Sequence, residues 1–152
     1  MRKITEFAEG HDLATDAELV LPYDTRKKSR FRAELKNGEP LGVILPRGRV
    51  LRGGDYLQDE AGKVIGVVAA PESVSLATSD NACLLVRAAY HLGNRHVPLQ
   101  VGDGWLRYQH DHVLDDMVLG LGLRVAYEQA PFEPEDGAYA STAGGGQHGH
   151  SH

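Results

Sequence analysis

At Pro71-Glu72 the sequence changes period, and that change rules out one uniform architecture for the whole chain. Before it, apolar residues recur at every second position and turns arrive every few residues. Arg30 to Leu35 (RFRAEL) sets Phe31, Ala33 and Leu35 on one face and Arg30, Arg32 and Glu34 on the other, the period of a half-buried strand. Lys36-Asn37-Gly38-Glu39 follows with an Asn-Gly pair, the strongest short-range hairpin signal, and Leu41 to Leu45 continues as an apolar strand. Turns at Pro46-Arg47-Gly48, Gly53-Gly54-Asp55 and Asp59 to Gly62 leave Val50-Leu51, Tyr56-Leu57 and Val64 to Ala69 as short extended pieces. Residues 1–72 therefore read as an all-β domain, a small sandwich or barrel.

After the change, strands alternate with helical periods. Ser73 to Ala77 predicts a strand, and Ser79 or Asp80 can cap a helix carrying Ala82, Leu85, Ala89 and Leu92 at helical spacing. Gly93 fits its stop, since glycine enters the left-handed region without a steric cost. Val97 to Val101 and Trp105 to Gln109 flank Gly102-Asp103-Gly104 as a hairpin. Asp111 can cap a second helix with Leu114, Met117, Val118 and Leu121 apolar, stopped by Gly120 and Gly122, before a last strand from Leu123 to Tyr127. The order βαββαβ over residues 73–131 is that of a ferredoxin-like domain, so the fold class is α+β. Residues 132–152 are rich in Gly and small polar residues and end in GGGQHGHSH. They hold too little apolar content to fold alone and read as a flexible C-terminal segment with a His-rich tail.

Composition narrows the function. No uninterrupted apolar run approaches the roughly 20 residues of a membrane helix, and MRKITEFAEG has no apolar stretch of the kind a secretion signal needs. A single cysteine among 152 residues excludes an internal disulfide framework and fits a reducing compartment, so a cytoplasmic protein is expected. Cys83, near the start of an apolar helix, is expected to be a buried, inert thiol. A formal charge of -5 argues against nucleic acid as the main partner. Arg26-Lys27-Lys28 with Arg30 and Arg32 forms a basic patch, expected to be a solvated strand edge and less often a dock for an acidic partner. No P-loop, nucleophile elbow, HExxH helix or CxxC pair is present, which points away from an enzyme.

The surplus is in histidine, of which there are 8. His96 sits in HLGNRHV at an element junction. His110 and His112 bracket Asp111, and His148, His150 and His152 alternate with Gly149 and Ser151. A lone loop histidine is ordinarily a solvated side chain, and His91 reads as a helix-surface residue. The alternating tail is more specific, and together with His96, His110 and His112 it favours metal binding. Imidazole and carboxylate with almost no sulfur leave nickel, zinc, cobalt and copper(II) open and disfavour copper(I) and iron–sulfur clusters. Ligands on peripheral segments must be ordered when they bind, which suits a carrier that releases its ion.

PRGRVLRGGDYL (Pro46 to Leu57), LGNRHVPLQV (Leu92 to Val101), DHVLDDM (Asp111 to Met117) and FEPEDGAY (Phe132 to Tyr139) resemble the urease accessory protein UreE family of nickel metallochaperones. The resemblance spans nearly the whole chain. It implies a chaperone-like, peptide-binding-like β domain, a ferredoxin-like domain that binds metal, and a homodimer joined through that C-terminal domain. His96 matches the histidine that meets its dimer mate and shares one Ni(II), which a two-fold contact permits by pairing copies of any residue near the axis. His110 and His112 match additional ligands, and the tail matches the family's variable extension, so His148, His150 and His152 would capture ions. The same imidazole and carboxylate donors would also admit Zn(II) or Cu(II) at the same or peripheral sites. The partners implied by the resemblance are the accessory GTPase UreG and the urease apoprotein maturation complex. The competing reading is a protein-binding module whose all-β half docks a partner while the tail binds metal incidentally or as a buffer.

Overall fold

The structure is a computed structural model that describes residues 1–137. Met1–Ala70 forms one compact unit, with which Asp136 and Gly137 group, and Pro71–Glu135 forms a second. The first unit contains β1 (Arg2–Ala8), β2 (Ala17–Leu21), a single helical turn α1 (Tyr23–Arg26), β3 (Arg30–Glu34), β4 (Pro40–Ile44), β5 (Tyr56–Asp59) and β6 (Val64–Ala69). These strands make one 6-stranded sheet in the order β2-β6-β5-β1-β4-β3. The pairs β1–β4 and β2–β6 are parallel and the others antiparallel.

Local chemistry accounts for the β3–β4 hairpin. Gly38 takes φ +90, which a side chain would oppose, and Leu35 donates its N–H to the Glu39 carbonyl at 2.9 Å. The alternation of RFRAEL then turns Phe31, Ala33 and Leu35 onto a core of Ile4, Leu19, Leu41, Leu51, Leu57 and Ile65. Each such leucine or isoleucine contributes about 1.5–3 kcal/mol by leaving water.

The PRGRVLRGGDYL stretch is a framework of turns. Gly54 takes φ +94, the Asp55 carboxylate accepts from the Arg52 N–H at 2.9 Å, and the Arg49 guanidinium lies 3.7 Å over the Phe7 ring. Arg26 corrects the expectation of a wholly solvated basic patch, because it is 0% exposed. The α1 turn carries it inward, where its Nε donates to the Leu21 carbonyl at 3.0 Å and its Nη1 to the Leu51 carbonyl at 3.1 Å. Leu51 returns its N–H to the Arg26 carbonyl at 3.0 Å, so this one residue closes the turn framework onto the sheet.

The second unit is α+β. It runs β7 (Pro71–Thr78), α2 (Ala82–Asn94), β8 (Gln100–Gly102), β9 (Trp105–Gln109), α3 (His112–Gly120) and β10 (Arg124–Pro131). Its 4-stranded sheet has the order β10-β7-β9-β8, antiparallel throughout. Ala77, Leu106 and Tyr108 of the sheet pack with Ala88 and Leu92 of α2 and Leu114 and Val118 of α3.

Several boundaries differ from those predicted, each for a local reason. The cap of α2 is Asn81, whose Oδ1 accepts from the N–H groups of Cys83 and Leu84, whereas Ser79 accepts from the Asn81 N–H. The strand expected over Val97 to Val101 shrinks to Gln100–Gly102. Pro98 has no N–H to offer a ladder, and the Leu99 carbonyl is taken by Glu135 at 2.8 Å. The last strand extends to Pro131, opposite Pro71. Cys83 is exposed rather than buried, because the phase that turns Ala88 and Leu92 inward turns Cys83, Val86 and Tyr90 outward. Among the described residues no helix is long and apolar enough to cross a membrane.

The β8–β9 hairpin depends on a glycine. Gly102 pairs with Trp105, and a Cβ at Gly102 would fall inside the indole ring. Gly102→Ala is expected to push Trp105 off the hairpin and away from Arg107, whose guanidinium lies 4.9 Å over the ring. The cost should be about 1–3 kcal/mol. Because the chain has 1 tryptophan, fluorescence during a urea titration checks this directly. An unchanged spectrum and midpoint would contradict it.

Candidate metal centre

His96 sits where α2 gives way to the chain leading into β8. The helix closes with the Arg95 N–H on the Leu92 carbonyl at 3.1 Å and the His96 N–H on the Gly93 carbonyl at 3.0 Å. The left-handed residue expected at Gly93 is His96 instead, at φ +57, and Gly93 stays in the helix. Left-handed backbone costs a residue with a Cβ roughly 1–2 kcal/mol, although histidine visits it more readily than most. An exposed histidine held in that conformation is the kind of outlier from which a functional role can be argued. The same helix leaves Val86 70% and Tyr90 64% exposed.

His110 is built differently. Ser75 stands opposite Tyr108 on one side and Tyr127 on the other, so one row of the sheet carries all three. Asp111 caps α3, accepting from the Val113 and Leu114 N–H groups at 2.8 and 3.1 Å. That cap sets the helical phase that brings Asp115 to the row. Asp115 Oδ1 accepts from the Ser75 hydroxyl at 2.7 Å and from the Tyr108 hydroxyl at 2.8 Å. Nδ1 of His110 lies 3.1 Å from Ser75 Oγ and 3.3 Å from Asp115 Oδ2. The His110 ring meets Tyr127 edge-on with centroids 4.9 Å apart. Burial, and the Asp115 carboxylate beside it, push the Tyr108 phenol well above its usual range, so it stays a donor. Tyr127 is drawn the other way, because hydrogen bonds to Ser73 and Gln129 hold its phenol below that range.

His112 is the first residue of α3, 88% exposed in its side chain, with Nε2 3.5 Å from Asp116 Oδ2 one turn on. Among the described residues, no group of three or more His, Cys, Asp and Glu side chains is spaced to hold a metal ion. His96 lies just beyond α2, whereas His110 and His112 flank Asp111 at the β9–α3 junction. His148, His150 and His152 lie outside the described residues. Ser75, Tyr108 and Asp115 were not legible as site residues. Ser75 reads as one strand position among others, and the spacing that brings it to Asp115 spans 40 residues.

Comparison with known proteins covers both units. A family model described as UreE urease accessory protein, N-terminal domain, matches residues 2–70, and one described as UreE urease accessory protein, C-terminal domain, matches residues 72–152. The chain is 54% identical over 149 residues to a protein of Vibrio parahaemolyticus named urease accessory protein UreE, covering 95% of this chain and 94% of that one. It is 60% identical over 124 residues to the protein of that name from Alkalilimnicola ehrlichii, covering 82% and 76%. Against that of Teredinibacter turnerae it is 58% identical over 135 residues, covering 89% and 88%.

Proposed function

The chain belongs to the UreE family of urease accessory proteins, and from that premise we propose that it is a cytoplasmic nickel carrier, not an enzyme, which delivers Ni(II) during assembly of the urease metallocentre. The observation that carries this reading is His96, an exposed imidazole kept in left-handed backbone at the end of a helix with an exposed apolar side. One imidazole grips a divalent ion weakly. A homodimer formed through the second unit would bring two copies of His96 to one Ni(II), and burial of Val86 and Tyr90 would favour that contact. His110 and His112 serve as auxiliary ligands, and His148, His150 and His152 capture ions for relay. Imidazole and carboxylate donors suit nickel and also admit Zn(II) or Cu(II) at the same or peripheral sites. The accessory GTPase UreG and the urease apoprotein maturation complex receive the ion. The family's ferredoxin-like arrangement for the second unit is supported by its strand order β10-β7-β9-β8.

One observation favours a second reading. A groove of about 320 Å³ in the first unit is lined by Lys3, Arg30, Phe31, Arg32 and Ile44. It would suit a protein-binding module in which metal capture is incidental. Sizing by light scattering, with nickel analysis of a full-length protein carrying His148→Ala, His150→Ala and His152→Ala, separates the two. The carrier reading expects a dimer holding one tightly bound nickel per two chains. A protein that retains no nickel without its tail histidines sinks that reading and leaves the groove as the working part.

A further inference from the structure

His110 is not simply an exposed imidazole, and the groups around one of its nitrogens limit what the other can do. Asp115 can only accept hydrogen bonds, and its Oδ1 already takes the Ser75 and Tyr108 hydroxyl protons at 2.7 and 2.8 Å. With its one proton given to Asp115, the Ser75 oxygen can only accept from Nδ1 of His110, 3.1 Å away. Asp115 Oδ2, 3.3 Å from the same nitrogen, asks for the same proton. Both neighbours of Nδ1 are therefore acceptors. Tyr127 meets the ring edge-on and limits its rotation.

We infer that Asp115, aided by Ser75, is a positioning residue that fixes the Nδ1–H tautomer of His110 and leaves Nε2 as the only ring nitrogen able to take a metal ion. A carboxylate behind a histidine ligand orients the ring and makes its free nitrogen more basic, and losing such a partner typically costs 10–100-fold in metal affinity. Ser75 is 0% exposed, so the arrangement is built from the core of the second unit outward. It gives a second unit with no three-ligand cluster among its described residues one imidazole whose free nitrogen is set before the ion arrives. This inference rests on the carrier reading, in which His110 is an auxiliary ligand.

The test uses the full-length protein with 15N-labelled histidine. Without metal, His110 should show a protonated Nδ1 and an unprotonated Nε2, and Asp115→Asn should mix the tautomers. On titration with NiCl2, the nickel needed to broaden the His110 ring signals by half should rise 10–100-fold in Asp115→Asn. Tyr108→Phe removes a different hydrogen bond from the same carboxylate and should leave the tautomer unmoved, which separates positioning from mere support of the fold. Should Asp115→Asn not fold, Ser75→Ala takes its place, with a smaller shift in the same direction. A protonated Nε2 in the wild type, or an unaltered nickel requirement in Asp115→Asn, overturns the inference while leaving the carrier reading standing. Wild-type His110 signals that ignore nickel altogether overturn its role as a ligand, and this inference with it.

Discussion

Replacing His96 with alanine should lower nickel affinity by about 100-fold, a loss of about 2.7 kcal/mol. Replacing His148, His150 and His152 together should cost less. The asymmetry follows from symmetry. In a site shared across a two-fold axis a single substitution removes one donor from each copy, so two ligands disappear at once. On the carrier reading, the tail histidines add capacity without completing the central site. Calorimetric titration of both variants with Ni(II) checks the order, and a larger loss in the tail variant would relocate the principal site. His96→Gly adds a control that alanine cannot supply. Glycine relieves the left-handed strain at φ +57 while adding freedom to the unfolded chain, and the two effects, each about 1 kcal/mol, oppose one another. His96→Gly should therefore lose nickel as fully as His96→Ala yet melt close to the wild type. That outcome would show the residue held in place for its imidazole rather than for the fold.

Arg26→Ala should destabilise the first unit by about 3–5 kcal/mol. The substitution removes two charge-assisted hydrogen bonds, leaves the Leu21 and Leu51 carbonyls without these partners, and opens a void where a fully buried side chain had packed. Hydrogen exchange of the amides of β2 and of the Leu51 turn should report the loss first. Trp105 lies in the second unit, and its fluorescence should unfold at its usual urea concentration. A change below 1 kcal/mol would mean that the Arg26 network contributes little beyond its geometry.

What could be read from the sequence was what is decided within a few residues. The Asn37-Gly38 turn, the alternation of RFRAEL and the Asp111 cap each depend on near neighbours, and each is present. The α2 cap fell one position beyond the expected pair because Asn81 is as good an acceptor as Asp80, and only the backbone decides between them. Arg26 looked like one cation in a basic run, since the carbonyls that bind it lie 5 and 25 residues away. The histidines stood out by composition and spacing. What ties His110 in place did not, because Ser75 and Asp115 come from a strand and a helix that only the sheet order brings together. Nor does any local rule put a histidine in left-handed backbone at position 96, where glycine is the residue the sterics favour.

Pro71 pairs with Pro131 at the outermost rung between β7 and β10. The sheet of the second unit thus begins and finishes at adjacent points, about 5 Å apart in such a ladder. The chain leaves the unit only at Glu135, whose N–H donates to the Leu99 carbonyl ahead of β8 at the other edge, so a graft of this unit into a host loop would have to span the width of the sheet.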